Sequence, residues 1–233
     1  MLVFMRALPG RQSRAKLDAP PASITRANTH EDQRRRILGA LGELVGERGY
    51  GDVTVELIVK RARVSFKTFY KHYPGKEECL RDLCESSFDF AEGRIRERLA
   101  AEPGPWPNKV MLALTTLFEL IVANPVVARA VIVESPTVSP AITERYGQAT
   151  RALVPLFREG RKLNPRGAEL PETIEETLAG SVFWSAYQRL IVGEAEQLPA
   201  SLPVLAELVL RTYLGQEEAR RIARSEAAEL QLA

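Results

Sequence analysis

The chain predicts an all-α protein, with a helix-turn-helix module at the front and a larger helical domain behind it. Three observations carry this. From Glu31 onward, apolar residues recur at spacings of three and four, the period of helices with one buried side. Thr54 and Ser65 each stand immediately before a short helical pattern, where a hydroxyl can cap the first free amides. Prolines 103, 105 and 107 divide the helical pattern into two stretches.

Residues 1–30 carry Arg6, Arg11, Arg14, Lys16 and Arg26, with prolines at 9, 20 and 21. No helical or strand period persists there, so the segment reads as a flexible basic arm. It either touches DNA phosphates or a minor groove, or has no role. Its start, MLVFM, is too short for a signal-peptide core and runs straight into Arg6.

The module follows at 31–80. Ile37, Leu38, Leu41, Leu44 and Val45 share one side of a first helix, which Gly49 stops. Thr54 caps a second helix with Leu57, Ile58 and Ala62 inward, and Ser65 caps a third that ends near Pro74. Helices so short do not persist alone in water. They must share a core, for which Ile37, Leu41, Ile58, Val64, Phe69 and Tyr73 are the candidates. Two short capped helices in tandem make a helix-turn-helix. A fourth helix, 76–100, opens at Lys76-Glu77-Glu78 and links to the remainder.

Residues 101–215 form the second domain. Its patterns cover Lys109 to Ala123, Pro125 to about Val133, Ala141 to Arg161, a stretch from Pro171 through Ile191, and one from Ser201 to Gly215. The tail, 216–233, alternates Glu and Arg with Ala and is either a surface helix or frayed.

Composition narrows the function. The net charge of +2 hides an asymmetry: residues 1–80 hold 15 basic and 9 acidic side chains, residues 81–233 hold 17 and 21. A basic front on a mildly acidic body suits a polyanion-binding module fused to something else. Two cysteines and two histidines leave no disulfide framework and no His-rich metal site. Cys79 and Cys84 match neither a redox nor a metal pair, and His72 has no catalytic partner at a supporting spacing. The apolar runs fall short of a membrane span. The expectation is a cytoplasmic protein that is not an enzyme, with no cofactor, no metal and no membrane association.

The informative segment is TVELIVKRARVSFKTFYKHYPGKEECL, residues 54–80. Phe69 and Tyr73 share the core face of the third helix, and Lys67, Thr68, Lys71 and His72 fall on the rest, with Tyr70 one position round. Such a helix fits a major groove about 12 Å wide and can reach base edges or phosphates. Phe66 either meets a thymine methyl or packs against the first helix.

This segment resembles the DNA-binding domain of the TetR family of transcriptional regulators. The likeness rests on Ile37-Leu38 with Ala40 leading to Gly49-Tyr50; on Thr54-Val55-Glu56 with Ile58 and Lys60-Arg61-Ala62; and on Val64-Ser65, Thr68-Phe69-Tyr70, His72-Tyr73, Lys76-Glu77 and Leu80. It covers roughly residues 33–83. The resemblance implies that Thr54 caps the second helix near a phosphate and that Ser65 to His72 is the recognition helix. By the same likeness Tyr70 and Lys76 contact phosphates, while Lys67, Thr68, Lys71 and His72 lie at or beside the groove. It implies a homodimer, paired through helices at about 171–195 and 201–214, that binds a pseudo-palindromic double-stranded DNA operator as a repressor and is released by a small molecule. Three positions depart from the family pattern. Arg63 stands where a glycine is usual in the turn, Val59 where an alanine is usual, and Lys67 where a glycine is frequent.

An effector cavity is expected among the helices starting near Lys109, Ala141 and Pro171. Its candidate walls are Thr115, Phe118, Glu119, Tyr146, Trp184, Tyr187 and Gln188, because pockets combine apolar walls with a few fixed polar groups. Trp and Tyr also fill cores and interfaces, so packing is the competing role. The scarcity of charge nearby favours a lipophilic effector. A DNA-binding activator or regulator of the same fold without a small-molecule effector is the alternative, and a cavity against a solid core separates the two.

Overall fold

The computed structural model describes residues 22–165 and 167–230, and all of its regular structure is helical. The front comprises α1 (Ala22–Arg48), α2 (Val55–Ala62) and α3 (Phe66–His72), followed by α4 (Lys76–Ala101). Ile37, Leu41, Ile58, Phe69 and Leu80 are wholly buried and form the shared core that the short helices require. Thr54 Oγ1 accepts the Leu57 amide at 3.3 Å, and Ser65 Oγ accepts that of Thr68 at 3.0 Å. The arm expected over 1–30 ends earlier, because α1 already begins at Ala22; residues 1–21 lie outside the described residues.

α4 joins front to body. Near its start, Asp82 accepts the Arg34 guanidinium of α1, Nε at 2.9 Å, and the Tyr73 hydroxyl at 2.6 Å. Further along, α4 packs against α5 (Trp106–Ala123) and α7 (Pro140–Arg151). α5 is long and apolar enough to span a membrane by length and composition alone, which the sequence reading of apolar runs missed. In this fold it is a core helix, with Val110, Ala113 and Leu114 wholly buried.

Asn124 caps α6 (Pro125–Arg129), accepting the Val127 amide at 3.3 Å. The chain then widens into a π-helical turn, Ala130–Glu134, and tightens into a 3-10 turn, Ser135–Thr137. The single helix expected over 141–161 is divided: α7 stops at Arg151, α8 spans Val154–Arg158, and a 3-10 turn covers Glu159–Leu163. Pro155, which has no amide hydrogen, cannot continue the ladder there.

α9 (Ile174–Ile191) starts three residues after Pro171, and α10 (Leu198–Leu214) starts before Ser201, with Pro203 inside it. α11 (Gln216–Leu230) is helical and lies along α10, with Ala219 and Ala223 fully buried. One charge cluster locks the irregular stretch between α8 and α9. Glu175, fully buried, accepts Arg161 Nε at 2.6 Å, Arg161 Nη2 at 2.9 Å and the Tyr213 hydroxyl at 2.9 Å. A buried carboxylate is tolerable only when its oxygens are satisfied in this way.

The front docks on the body through glycines. On α1, Gly42 and Gly46 face α6, and a Cβ on Gly42 would come within 3.1 Å of a Val127 methyl. Glycine's missing side chain permits this approach of one backbone to another element.

Candidate DNA-recognition surface and interior cavity

α3 presents the outer surface that the sequence led us to expect. Phe66 and Tyr70 are 49% and 55% exposed, large values for aromatic rings. Lys67 and Lys71 are exposed beside them. Thr68 is half-buried, its hydroxyl 2.9 Å from that of Ser65 at the helix start. Of the two roles open for Phe66, its exposure favours the one facing outward.

Two of the expected contact residues make contacts within the chain. His72 turns toward α1, its ring 4.1 Å from that of His30 and its Nε2 3.4 Å from Gln33 Oε1. Burial, then the positive neighbours His30, Lys71 and Arg34, holds its pKa below the usual imidazole value. Lys76 donates to the backbone oxygens of Tyr50 at 3.0 Å and Val53 at 2.8 Å, and lies over the Tyr50 ring at 4.2 Å. Lys76 therefore clasps the loop between α1 and α2, and Thr54, which caps α2, is positioned by that loop.

The turn between α2 and α3 answers the question raised by Arg63. Its φ of 53° and ψ of 48° put it in the left-handed region, and it is the only non-glycine residue with positive φ among those described. The conformation costs an L-residue about 1–2 kcal/mol. It is offset by a cap. Arg36 of α1 donates Nη2 to the carbonyls of Ala62 and Arg63, each at 2.6 Å, while the Val64 amide donates to Val59 O at 3.1 Å. Arg61 adds bonds to Glu43 at 3.0 Å and to Glu47. Val59 is accommodated, at 6% exposure, in the core beside the turn. Arg36 escaped the sequence reading because its role depends on an approach between two helices.

Behind the recognition module lies a cavity of about 150 Å³, walled by α1, α4, α5, α6, α7 and α9. Its walls include Leu83, Phe88, Leu117, Leu120, Val127 and Phe183. Four polar side chains reach the lining: Ser86, Ser87, Glu92 and Asn124. Three are already committed. Ser86 belongs to the Arg34–Asp82 cluster, Glu92 faces Arg145 at 3.4 Å, and Asn124 caps α6.

None of the residues proposed from sequence as cavity walls lines it. Phe118 is 1% exposed, packed in the core on α5. Thr115 is buried with its hydroxyl unpartnered, and Glu119 pairs with Arg98 at 2.6 Å. Tyr146 packs edge-on between Phe88 and Phe183, both cavity residues, one shell back. Trp184 and Tyr187 stack on each other at 5.4 Å on the outside of α9, and Gln188 is exposed there too. Trp184 is 60% exposed, and Ile191 of α9, Val192 just after it, and Val204 and Leu208 of α10 are exposed too. The cavity lies one helix face away from the expected one. Of the α1 glycines only Gly39 lines it, while Gly42 and Gly46 mark where α1 approaches α6.

Comparison with known proteins agrees with this geometry. Residues 37–83 match the family model described as bacterial regulatory proteins, tetR family. The chain is 24% identical over 180 residues to the HTH-type transcriptional regulator EthR of Mycolicibacterium smegmatis, covering 74% of this chain and 80% of that one. Its fold matches the fatty acid degradation regulator FadR of Bacillus halodurans with a TM-score of 0.68 at 19% identity, over 84% of this chain and 97% of the other. It also matches Bacillus subtilis FadR, solved in complex with stearoyl-CoA, with a TM-score of 0.63 at 18% identity, over 77% and 97%. Residues 37–83 thus match the tetR family of bacterial regulatory proteins, and the all-helical body around them has the fold of these solved structures.

Proposed function

We propose that the protein is a ligand-responsive transcriptional repressor that binds a pseudo-palindromic operator as a homodimer and is released by a small lipophilic effector. The observation that carries this reading is the pairing of an exposed recognition helix with an apolar cavity whose wall includes Gly39 of α1. A molecule in that cavity touches the helix on which the DNA-binding module is built. The complex of Bacillus subtilis FadR with stearoyl-CoA supports a lipophilic effector for a body of this shape. The cavity also weighs against the alternative of a regulator without an effector.

Dimerisation is supported by the outer faces of α9 and α10. Trp184, Val192 and Val204 are 60%, 62% and 71% exposed, and an apolar patch spread over adjacent helices marks an interaction surface. In this reading Trp184 and Tyr187 serve the dimer, not the cavity. A twofold arrangement would set two α3 helices about one DNA turn apart, roughly 34–36 Å.

Release requires that the effector bind the DNA-incompetent arrangement more tightly, because equal affinity shifts nothing. α4 is the expected lever, since it runs from the clasp at Lys76 past the cavity. Selecting bound duplexes from a random pool tests the reading. Twofold-symmetric enriched sequences, and loss of binding on adding a long-chain lipophile, are expected. Enrichment without symmetry would overturn the dimer reading, and indifference to every lipophile would overturn the effector reading.

A further inference from the structure

Outside the apolar cavity, on the α1–α2 side, lies a groove lined by Arg35, Arg36, Arg61 and Arg63, with Glu43 as its only acidic wall. Gly39 and Val127 line both the groove and the cavity, so the two hollows meet at those residues. We propose that they form one bipartite site for an amphiphile, with its alkyl chain in the cavity and an anionic headgroup among the arginines. This rests on the reading of the cavity as an effector site and specifies the chemistry of its occupant.

The cavity itself has no place for an anion. Of its polar side chains, Glu92 is acidic and would repel a negative headgroup, Ser86 and Asn124 are held by bonds of their own, and the Ser87 hydroxyl carries no charge to balance an anion. Arg145, over the Phe88 ring, is already shared between Asp89 and Glu92. An anionic headgroup must therefore leave the cavity, and the arginine groove adjoins it. Asp32 pairs with Arg35, and Glu43 and Glu47 with Arg61, so the excess positive charge there sits on Arg36, which is held only by neutral carbonyls, and on Arg63; guanidiniums bind carboxylate or phosphate in two-point fashion.

The site has a built-in consequence for DNA binding. Arg36 is the side chain that caps the left-handed turn at Arg63. A headgroup bidding for Arg36 acts on the helix-turn-helix directly, while the alkyl chain acts on α4 and α6.

The test is calorimetric titration of the full chain with dodecyl phosphate and with dodecanol, which share a chain and differ in charge. Wild type is expected to bind the phosphate at least tenfold more tightly. In Arg35→Gln/Arg63→Asn that preference should fall to within twofold, with dodecanol affinity unchanged. Asparagine is chosen because it tolerates the left-handed conformation, and circular dichroism checks that the variant is folded. Leu120→Trp, which fills the cavity, should weaken both ligands. Laurate distinguishes a free fatty acid from a phosphorylated ester, and a tenfold preference for either over dodecanol supports the proposal.

Wild-type affinities for both dodecyl phosphate and laurate no higher than that for dodecanol, or a preference that survives the double variant, would overturn the bipartite site and leave the cavity reading standing. Dodecyl phosphate binding that survives Leu120→Trp, or that inorganic phosphate abolishes, would mean an anion site without a tail and would overturn it too. Failure of both alkyl ligands to bind would remove the cavity reading along with the proposal.

Discussion

Gly46 of α1 lies so close to Val126 of α6 that a Cβ on the glycine would overlap the Val126 carbonyl oxygen. The DNA-binding module thus rests on the body backbone to backbone, with no flexible side chain between to absorb a shift. Motion of α6, whose Val127 and Ala128 line the cavity, therefore reaches α1.

Gly46→Ala is expected to lower stability by about 1–3 kcal/mol, the usual range for overpacking. Gly42→Ala should cost less, because it meets side-chain methyls at 3.1 and 3.2 Å that can give way. Urea unfolding of the two variants checks the order. A Gly46→Ala protein as stable as wild type would mean that α1 and α6 are not in rigid contact.

At the turn, Arg63→Gly removes the left-handed strain but adds freedom to the unfolded chain, so it should be neutral or stabilising by up to about 1 kcal/mol. Arg36→Ala leaves the Ala62 and Arg63 carbonyls uncapped and should cost about 1–3 kcal/mol. In a double variant the Arg36 cost should shrink, since the cap no longer holds a strained residue. Additive effects in a double-mutant cycle would separate the two roles.

Stability should fall with acid in two stages. Burial holds the folded pKa of His72 below the usual imidazole value, so the unfolded chain takes up protons first and stability declines as pH drops from about 6.5. Asp82 and Glu175 follow. Burial opposes their ionisation, but the bonds from Arg34 and Tyr73 to Asp82, and from Arg161 and Tyr213 to Glu175, outweigh it and hold both pKa values low. Their contribution is present above the unfolded values of 3.8 and 4.5 and is lost as pH falls through the depressed folded ones. His72→Gln should erase the first stage, and Glu175→Gln should flatten part of the second. Chemical unfolding from pH 8 to 3 records both.

On DNA, Tyr70→Phe is expected to weaken operator and scrambled duplex alike, by roughly fivefold for one lost hydrogen bond of about 1 kcal/mol. Lys71→Ala or Thr68→Ala should instead change preference between sequences. Lys76→Ala should weaken both duplexes and also lower the melting temperature, because the Lys76 ammonium clasps the α1–α2 loop. Each lysine that meets a phosphate should reduce the salt slope by about 1 on removal. Titrations at two salt concentrations decide, and sequence-selective loss in Tyr70→Phe would exclude a phosphate contact.

At the outer face of α9 and α10, Trp184→Arg with Val204→Arg should give a monomer by sedimentation, with the thermal stability of the single chain little changed because both side chains are mostly exposed. Operator affinity should drop by orders of magnitude as the second half-site is lost. A dimer that persists would move the interface elsewhere.

The sequence by itself determined the all-helical class, the two hydroxyl caps and the short helix α3 with its inward face, because each depends on neighbours within a few residues. Thr54 and Ser65 cap their own helices, and Phe69 faces inward by simple periodicity. The same locality explains the misjudged ends: nothing near Ser201 says that α10 begins at Leu198, and the break at Pro155 was overridden by apolar spacing. Only the tertiary structure decided which side of α9 faces a cavity and which faces outward. Trp184 and Phe183 are adjacent in sequence, yet one is exposed and the other walls the cavity. A helix with apolar residues all round carries no sign of which neighbour lies on which face. Likewise the meeting of Arg36 with Arg63, and of Gly46 with Val126, joins residues far apart in the chain. Those contacts follow from how whole helices stack, a property of the packed core and not of any segment.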